Sequence, residues 1–292
     1  MIKHQYDSAR VSLIGDRKIN QDRCTIIDND DNLFIALGDG MGGHPRGEIA
    51  AQILIDTAEQ QLYRTPSPIL SPGSFLTRTL HKAHENIMAY GYDQDPPLDP
   101  RTTAVICLIQ DGTAYWAHAG DSRLYLFRNK GIAFRTTDDS YVERLRQQGM
   151  ITDQEQEKHP QRNYVTRCLG GALISPEITL GRQILQTGDK ILLCTDGLWG
   201  SVGEEEMTRI MTGDLELDDA ALMLAETAAQ KAYPESDNVT LLSVEIGEAI
   251  VLPQPQVTPG ELMEQKEDEL NSAIAELQNA INSFNNHTDE DQ

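Results

Sequence analysis

The residues most able to do chemistry are aspartates set at the ends of apolar runs. Leu37-Gly38-Asp39-Gly40-Met41-Gly42-Gly43-His44 follows the apolar run Leu33–Leu37 and precedes a helical pattern. Ile191-Leu192-Leu193-Cys194-Thr195-Asp196-Gly197 ends a second run with Asp196, and Ser236-Asp237-Asn238-Val239-Thr240 places Asp237 just before a third. Asp121 lies between two further runs, in Ala119-Gly120-Asp121-Ser122-Arg123. Each Asp-Gly step taken singly is commonly a turn. Jointly they point elsewhere, because carboxylates at the ends of buried strands can converge at one edge of a sheet stack. There they raise one another's pKa unless cations neutralise them. Oxygen-only ligands suit Mg²⁺ or Mn²⁺ better than a structural zinc, and the glycines around Asp39 let carbonyls and waters approach such an ion closely.

Gly38, Gly40 and Gly43 also fit the G-x-G-x-x-G dinucleotide pattern. Asp39 inside that loop would repel a pyrophosphate, and the surrounding elements do not alternate as a Rossmann unit requires. The segment Gly15-Asp16-Arg17-Lys18-Ile19-Asn20-Gln21-Asp22 supplies a complement. Arg17 offers a planar fork matched to a phosphate, with a surface salt bridge as its plain alternative. Asp22 can accept hydrogen bonds from waters on a metal.

The elements that must position these residues are strands in hairpin-like groups separated by helical blocks. Strands are expected at Ala9–Ile14, Leu33–Leu37, Thr102–Ile109, Thr113–His118, Arg123–Arg128, Lys190–Thr195 and Asn238–Ile246, with Asp111-Gly112 as a hairpin turn. Helices are expected from Arg46 to about Tyr63, over Phe75–Tyr90 and over about Asp218–Ala232, with Thr65–Gly73 breaking the first pair. Thr136–Gly171 is polar and reads as an excursion from the core with short helical patterns. This order favours an α+β arrangement of antiparallel sheets with helices on their outer faces.

Taken in order, Arg17-x-x-Asn20-Gln21-Asp22, Asp39-Gly40-Met41-Gly42-Gly43-His44, Thr102-Thr103-Ala104, Gly120-Asp121-Ser122-Arg123, Asp196-Gly197-Leu198 and Asp237-Asn238-Val239-Thr240 resemble the metal-dependent protein serine/threonine phosphatases, type 2C, in their bacterial branch. The resemblance covers residues 5 to 247. It implies an α-β-β-α sandwich and a binuclear Mg²⁺/Mn²⁺ centre between the sheets. It implies that Asp39 bridges both metals, the Gly40 carbonyl binds one, Asp196 and Asp237 hold the other, and Asp22 acts through water. Arg17 would hold the substrate phosphate. Asp121, sharing Asp196, would hold a third, weaker ion, and Thr136–Gly171 would be the flap beside the site. The reaction implied is hydrolysis of phosphoserine and phosphothreonine by direct attack of an activated water. The default substrates are phosphoproteins made by a serine/threonine kinase.

Two positions depart from the family pattern. Met41 stands where many eukaryotic members carry a histidine thought to protonate the leaving group. That proton then falls to a water on the metals, or to His44 if it points inward. Asp139 stands where relatives often have histidine.

Composition sets the remaining bounds. The 292 residues carry 46 acids against 24 bases, a net charge of −22, which repels nucleic acid and anionic membrane. No apolar stretch is long enough for a membrane span, and the N-terminus does not read as a secretory signal. Cys24, Cys107, Cys168 and Cys194 are dispersed and read as free thiols of a reducing cytoplasm. A catalytically silent relative, a nucleic-acid hydrolase and a switch in a sigma-factor circuit are the rival readings; acidity opposes the second. The expected domains are a catalytic unit over 1–247, a linker over 248–257 and an acidic C-terminal helix with a disordered end over 258–292. From residue 248 onward there are ten acids and one lysine. Leu270, Ile274, Leu277, Ile281 and Phe284 keep heptad spacing, so residues 258–284 offer a coiled-coil or helix-groove contact, or dock on their own domain.

Overall fold

The computed structural model describes residues 2–29, 32–42, 44–171 and 175–251. The expected C-terminal helix and most of the expected linker lie outside the described residues. Two five-stranded sheets stack face to face, and every pairing within them is antiparallel.

The strands are β1 (Ile2–Leu13), β2 (Asp22–Asp28), β3 (Asn32–Asp39), β4 (Arg101–Thr102), β5 (Ala104–Gln110), β6 (Thr113–Ala119), β7 (Arg123–Arg128), β8 (Gly131–Arg135), β9 (Leu169–Gly170), β10 (Thr179–Ile184), β11 (Lys190–Cys194) and β12 (Val239–Val251). The helices are α1 (Gly47–Arg64), α2 (Pro72–Tyr92), α3 (Tyr141–Gln147), α4 (Asp153–Glu157), α5 (Asp196–Trp199), α6 (Glu204–Met211) and α7 (Leu217–Ala232). One sheet runs β1-β12-β11-β7-β8 and the other β10-β6-β5-β3-β2, with β4 and β9 forming a small separate pair.

Side-chain alternation builds the layers. In β3, Phe34 and Ala36 face α1 and α2, while Leu33, Ile35 and Leu37 enter the space between the sheets. In β11, Leu192 and Cys194 join the core under α5–α7, whereas Ile191 and Leu193 meet the opposite sheet. A strand covered on both faces reads as an unbroken apolar run, which is why these strands stand out in the sequence. The expected α-β-β-α sandwich is therefore the observed one.

β2, β8 and β10 escaped the sequence reading. β10 is an edge strand with mostly exposed side chains, and β2, at the other edge, is half-buried; neither carries a sustained apolar alternation. β12 runs on through Val251, paired with Ile2 of β1, and so takes in the first residues of the expected linker. The 136–171 excursion contains α3 and α4 and is closed at its base by a bridge between Ser140 and Val165. The four cysteines are free; Cys107 and Cys194 are buried, Cys24 and Cys168 half-buried.

Candidate functional site

Asp39 is the last residue of β3, and the next segment fixes its backbone. Its N–H donates to Thr103 Oγ1 at 3.1 Å, and its carbonyl accepts from the Thr103 N–H at 2.9 Å and from Thr102 Oγ1 at 3.0 Å. Gly40 then donates to the Gln21 carbonyl at 3.2 Å. A Cβ at Gly40 would lie 2.3 Å from the carbonyl carbon and oxygen of Gly47, the first residue of α1. Only glycine lets the chain turn this tightly from strand into helix. Across the β2–β3 pair, Asp22 is the direct partner of Asp39.

The second sheet delivers its acids from the ends of β11 and β12. Asp196 opens α5 immediately after Thr195. The Thr195 hydroxyl donates to Asp22 Oδ2 at 3.0 Å and accepts from the Thr240 N–H at 3.1 Å, so one side chain ties both sheets together at the site. Gly197 lies so close to β12 that a Cβ there would be 2.0 Å from the Asn238 carbonyl oxygen. Asn238 in turn holds the N-terminal loop. Its Oδ1 accepts from the Gln21 N–H at 2.8 Å, and its Nδ2 donates to the carbonyls of Ile14 at 2.9 Å and Ile19 at 3.1 Å. Arg17, carried on that loop, donates through Nη2 to Asp237 Oδ2 at 2.7 Å.

Asp121 sits in the turn between β6 and β7. Gly120 takes φ +119°, and a Cβ there would meet the Thr103 side chain at 2.7 Å. Ser122 and Thr103 share a hydroxyl–hydroxyl hydrogen bond of 2.7 Å, and Trp199 Nε1 donates to the Asp121 carbonyl at 3.0 Å. Arg123 makes a buried bidentate pair with Asp138, both distances 2.7 Å, and lies over the Trp199 ring. Asp139 clasps the same turn: its N–H donates to the Gly120 carbonyl and its Oδ2 accepts from the Gly120 N–H. Arg167 supplies its counter-charge at 2.8 Å. The position that departs from the family pattern thus joins the root of the 136–171 segment to the turn that carries Asp121.

The electrostatics follow from burial. Desolvation pushes Asp39 and Asp121 well above the usual carboxylate range, and Asp196 is also raised; neighbouring carboxylates add to each shift. Asp39 feels Asp22, Asp196, Asp121 and Asp237 together, so all five acids share one region. Asp22 is raised to about 7, first by burial and then by Asp196 and Asp237, against the neighbouring hydroxyls of Thr240 and Thr195, which lower it. Its Oδ1 is buried without a partner. A buried, unpaired carboxylate oxygen among other carboxylates is costly unless a cation or proton arrives.

That orphaned oxygen, together with the all-oxygen donor set, fits hard divalent cations. Among the described residues no three His, Cys, Asp or Glu side chains close on a single point as a compact ligand cage.

Asp22, Asp39, Asp121, Asp196 and Asp237 thus come together, with Arg17 paired to Asp237. His44 is turned to Asp99, 3.6 Å away, and burial with the nearby Arg101 lowers its pKa. The sequence reading did not single out the positioning roles of Thr195, Asn238 and Asp138. The signal available for them was their adjacency to Asp196, Asp237 and Asp139.

Comparison with known proteins follows the same lines. The family model described as Protein phosphatase 2C matches residues 11–231. The chain is 31% identical over 241 residues to protein phosphatase PhpP of Streptococcus pneumoniae, covering 80% of this chain and 97% of that one. It is 32% identical over 248 residues to the serine/threonine protein phosphatase PstP of Mycobacterium tuberculosis, covering 82% of this chain but only 46% of that longer protein. A solved structure of the PstP catalytic domain in complex with two manganese ions superposes with a TM-score of 0.69 at 28% identity, covering 85% of this chain and all of that one. The Streptococcus agalactiae serine/threonine phosphatase superposes with a TM-score of 0.76 at 27% identity, covering 83% and 100%.

Proposed function

The chain belongs to the protein phosphatase 2C family, and from that premise we propose that it removes phosphate from phosphoserine and phosphothreonine in proteins, using water activated between two Mg²⁺ or Mn²⁺ ions. The observation that carries this reading is the convergence of Asp22, Asp39, Asp121, Asp196 and Asp237, carboxylates from both sheets, with an unsatisfied oxygen on the buried Asp22.

Asp39 would reach both ions, with the Gly40 carbonyl on one and Asp196 and Asp237 on the other. Asp121, with Asp196, would hold a third. When bound, the pair of cations lowers the pKa of a water towards neutrality and offsets charge on the phosphoryl oxygens. Asp22 would orient water through its unpaired Oδ1. Arg17, which holds Asp237 through Nη2, would present its planar fork to the phosphate and take up charge in the transition state. No side-chain nucleophile is required, and burial raises the thiols of Cys107 and Cys194 away from reactivity. His44, beside Asp99, is a proton donor only if its ring turns towards the cluster; otherwise water protonates the leaving group.

The substrates we propose are phosphoproteins made by a serine/threonine kinase. Among the described residues no helix is long and apolar enough to cross a membrane. The test is turnover of an aryl phosphate and of a phosphothreonine peptide by purified protein, with and without Mn²⁺. Turnover of both that chelation abolishes is expected. A well-folded protein inert towards both at saturating Mn²⁺ would make the chain a silent binding relative.

A further inference from the structure

Beside Arg17 the site carries a feature that phosphate chemistry does not use. Ile14 and Ile19 flank the arginine on the same loop, with 47% and 56% of their surfaces exposed. Singly exposed apolar residues are ordinary. These two differ in being held out by a rigid frame. Both of their carbonyls accept from Asn238 Nδ2. Asp16 is fastened to Ser236 in both directions, N–H to carbonyl and Oδ2 from N–H, each at 2.9 Å. Gly15, at φ +60°, fits only because it has no Cβ to strike the Asp237 carbonyl oxygen. The backbone that carries the two isoleucines therefore cannot shift without breaking contacts that also hold Asp237 and Asn238. A fixed loop that presents apolar groups beside a reactive centre is how scaffolds recognise what surrounds the reacting group.

We infer that Ile14 and Ile19 are substrate contacts, and that the preferred substrates are phosphoproteins with an apolar residue next to the phosphorylated serine or threonine. This rests on the phosphatase reading above and narrows its substrate class. The occupant follows from continuity with the site: Arg17, which would hold the phosphate, lies between the two isoleucines on the same pinned loop. Charge supports it, since the acidic cluster behind the loop disfavours acidic flanks.

The test uses the full chain with Mn²⁺ and two phosphothreonine peptides of equal length, one flanked on both sides by valine and one by serine. For the wild type, kcat/KM should favour the valine peptide by roughly fivefold, carried by KM, the scale of covering half an isoleucine side chain. In an Ile14→Ser/Ile19→Ser variant that ratio should fall to about one, within the scatter of such contacts. The Ile14→Thr/Ile19→Thr pair, which keeps the branched shape, serves if the serine pair does not fold. Equal rates on both peptides in the wild type, or a preference that survives in the variants, overturns the inference and leaves the phosphatase reading standing. Hydrolysis of neither peptide sinks that reading itself.

Discussion

Asp22 and Asp39 stand directly opposite each other across the β2–β3 pair. Like charges in that relation destabilise a sheet, and here Asp22 is buried and Asp39 half-buried. The Thr195 hydroxyl satisfies one oxygen of Asp22 and leaves the other bare. The fold therefore stores an electrostatic cost at the place where a cation would remove it.

Stability should carry that signature. With Asp22 raised to about 7, the folded state binds more protons than the unfolded chain between the ordinary carboxylate range and that value. Stability of the cation-free protein therefore falls as pH rises through this window. Thermal melts should show the fall, Asp22→Asn should flatten it, and Mn²⁺ should raise Tm more at the top of the window than at its foot. A Tm indifferent to Mn²⁺ would count against the metal centre.

Asp39→Asn should lower aryl-phosphate turnover by about a thousandfold while the protein stays folded. In cells, a strain carrying it and a strain lacking the protein should accumulate the same hyperphosphorylated serine and threonine sites. Divergent phosphoproteomes would mean that the chain acts there by something other than hydrolysis.

Arg17→Lys keeps the charge and loses the fork. KM for a phosphopeptide should rise by about tenfold. The Arg17–Asp237 pair is exposed, at 55% and 40% of the two side chains, and contributes no more than about 1 kcal/mol. Tm should therefore barely move, and a large loss of Tm would assign Arg17 to structure.

Gly40→Ala forces a Cβ against the Gly47 carbonyl. Overpacking of this kind costs about 1–3 kcal/mol or more, and it falls on the joint between Asp39 and α1. Both Tm and Mn²⁺-dependent turnover should drop. In α2, where an added Cβ at Gly73 meets only Leu180 at 3.9 Å, Gly73→Ala should instead stabilise by about 0.5–1 kcal/mol.

Removing residues 258–292 should leave aryl-phosphate turnover intact, because β12 already closes against β1 at Val251. Collapse of turnover without unfolding would make the tail part of the catalytic unit.

The sequence by itself determined the layered architecture and the identity of the acids. Leu33–Leu37 and Ile191–Cys194 are apolar on both faces because helices cover one side and the opposite sheet the other, and that double burial is written in local composition. The aspartates ending such runs were legible for the same reason. Tertiary structure alone decided which of them meet. Asp22 faces Asp39 only because β2, half-buried and without a clear apolar period, pairs with β3. Arg17 reaches Asp237 across 220 residues only because Asn238 pins the N-terminal loop to the start of β12. Strand partners and long-range hydrogen bonds are set by how whole sheets pack, and local periodicity carries no record of them.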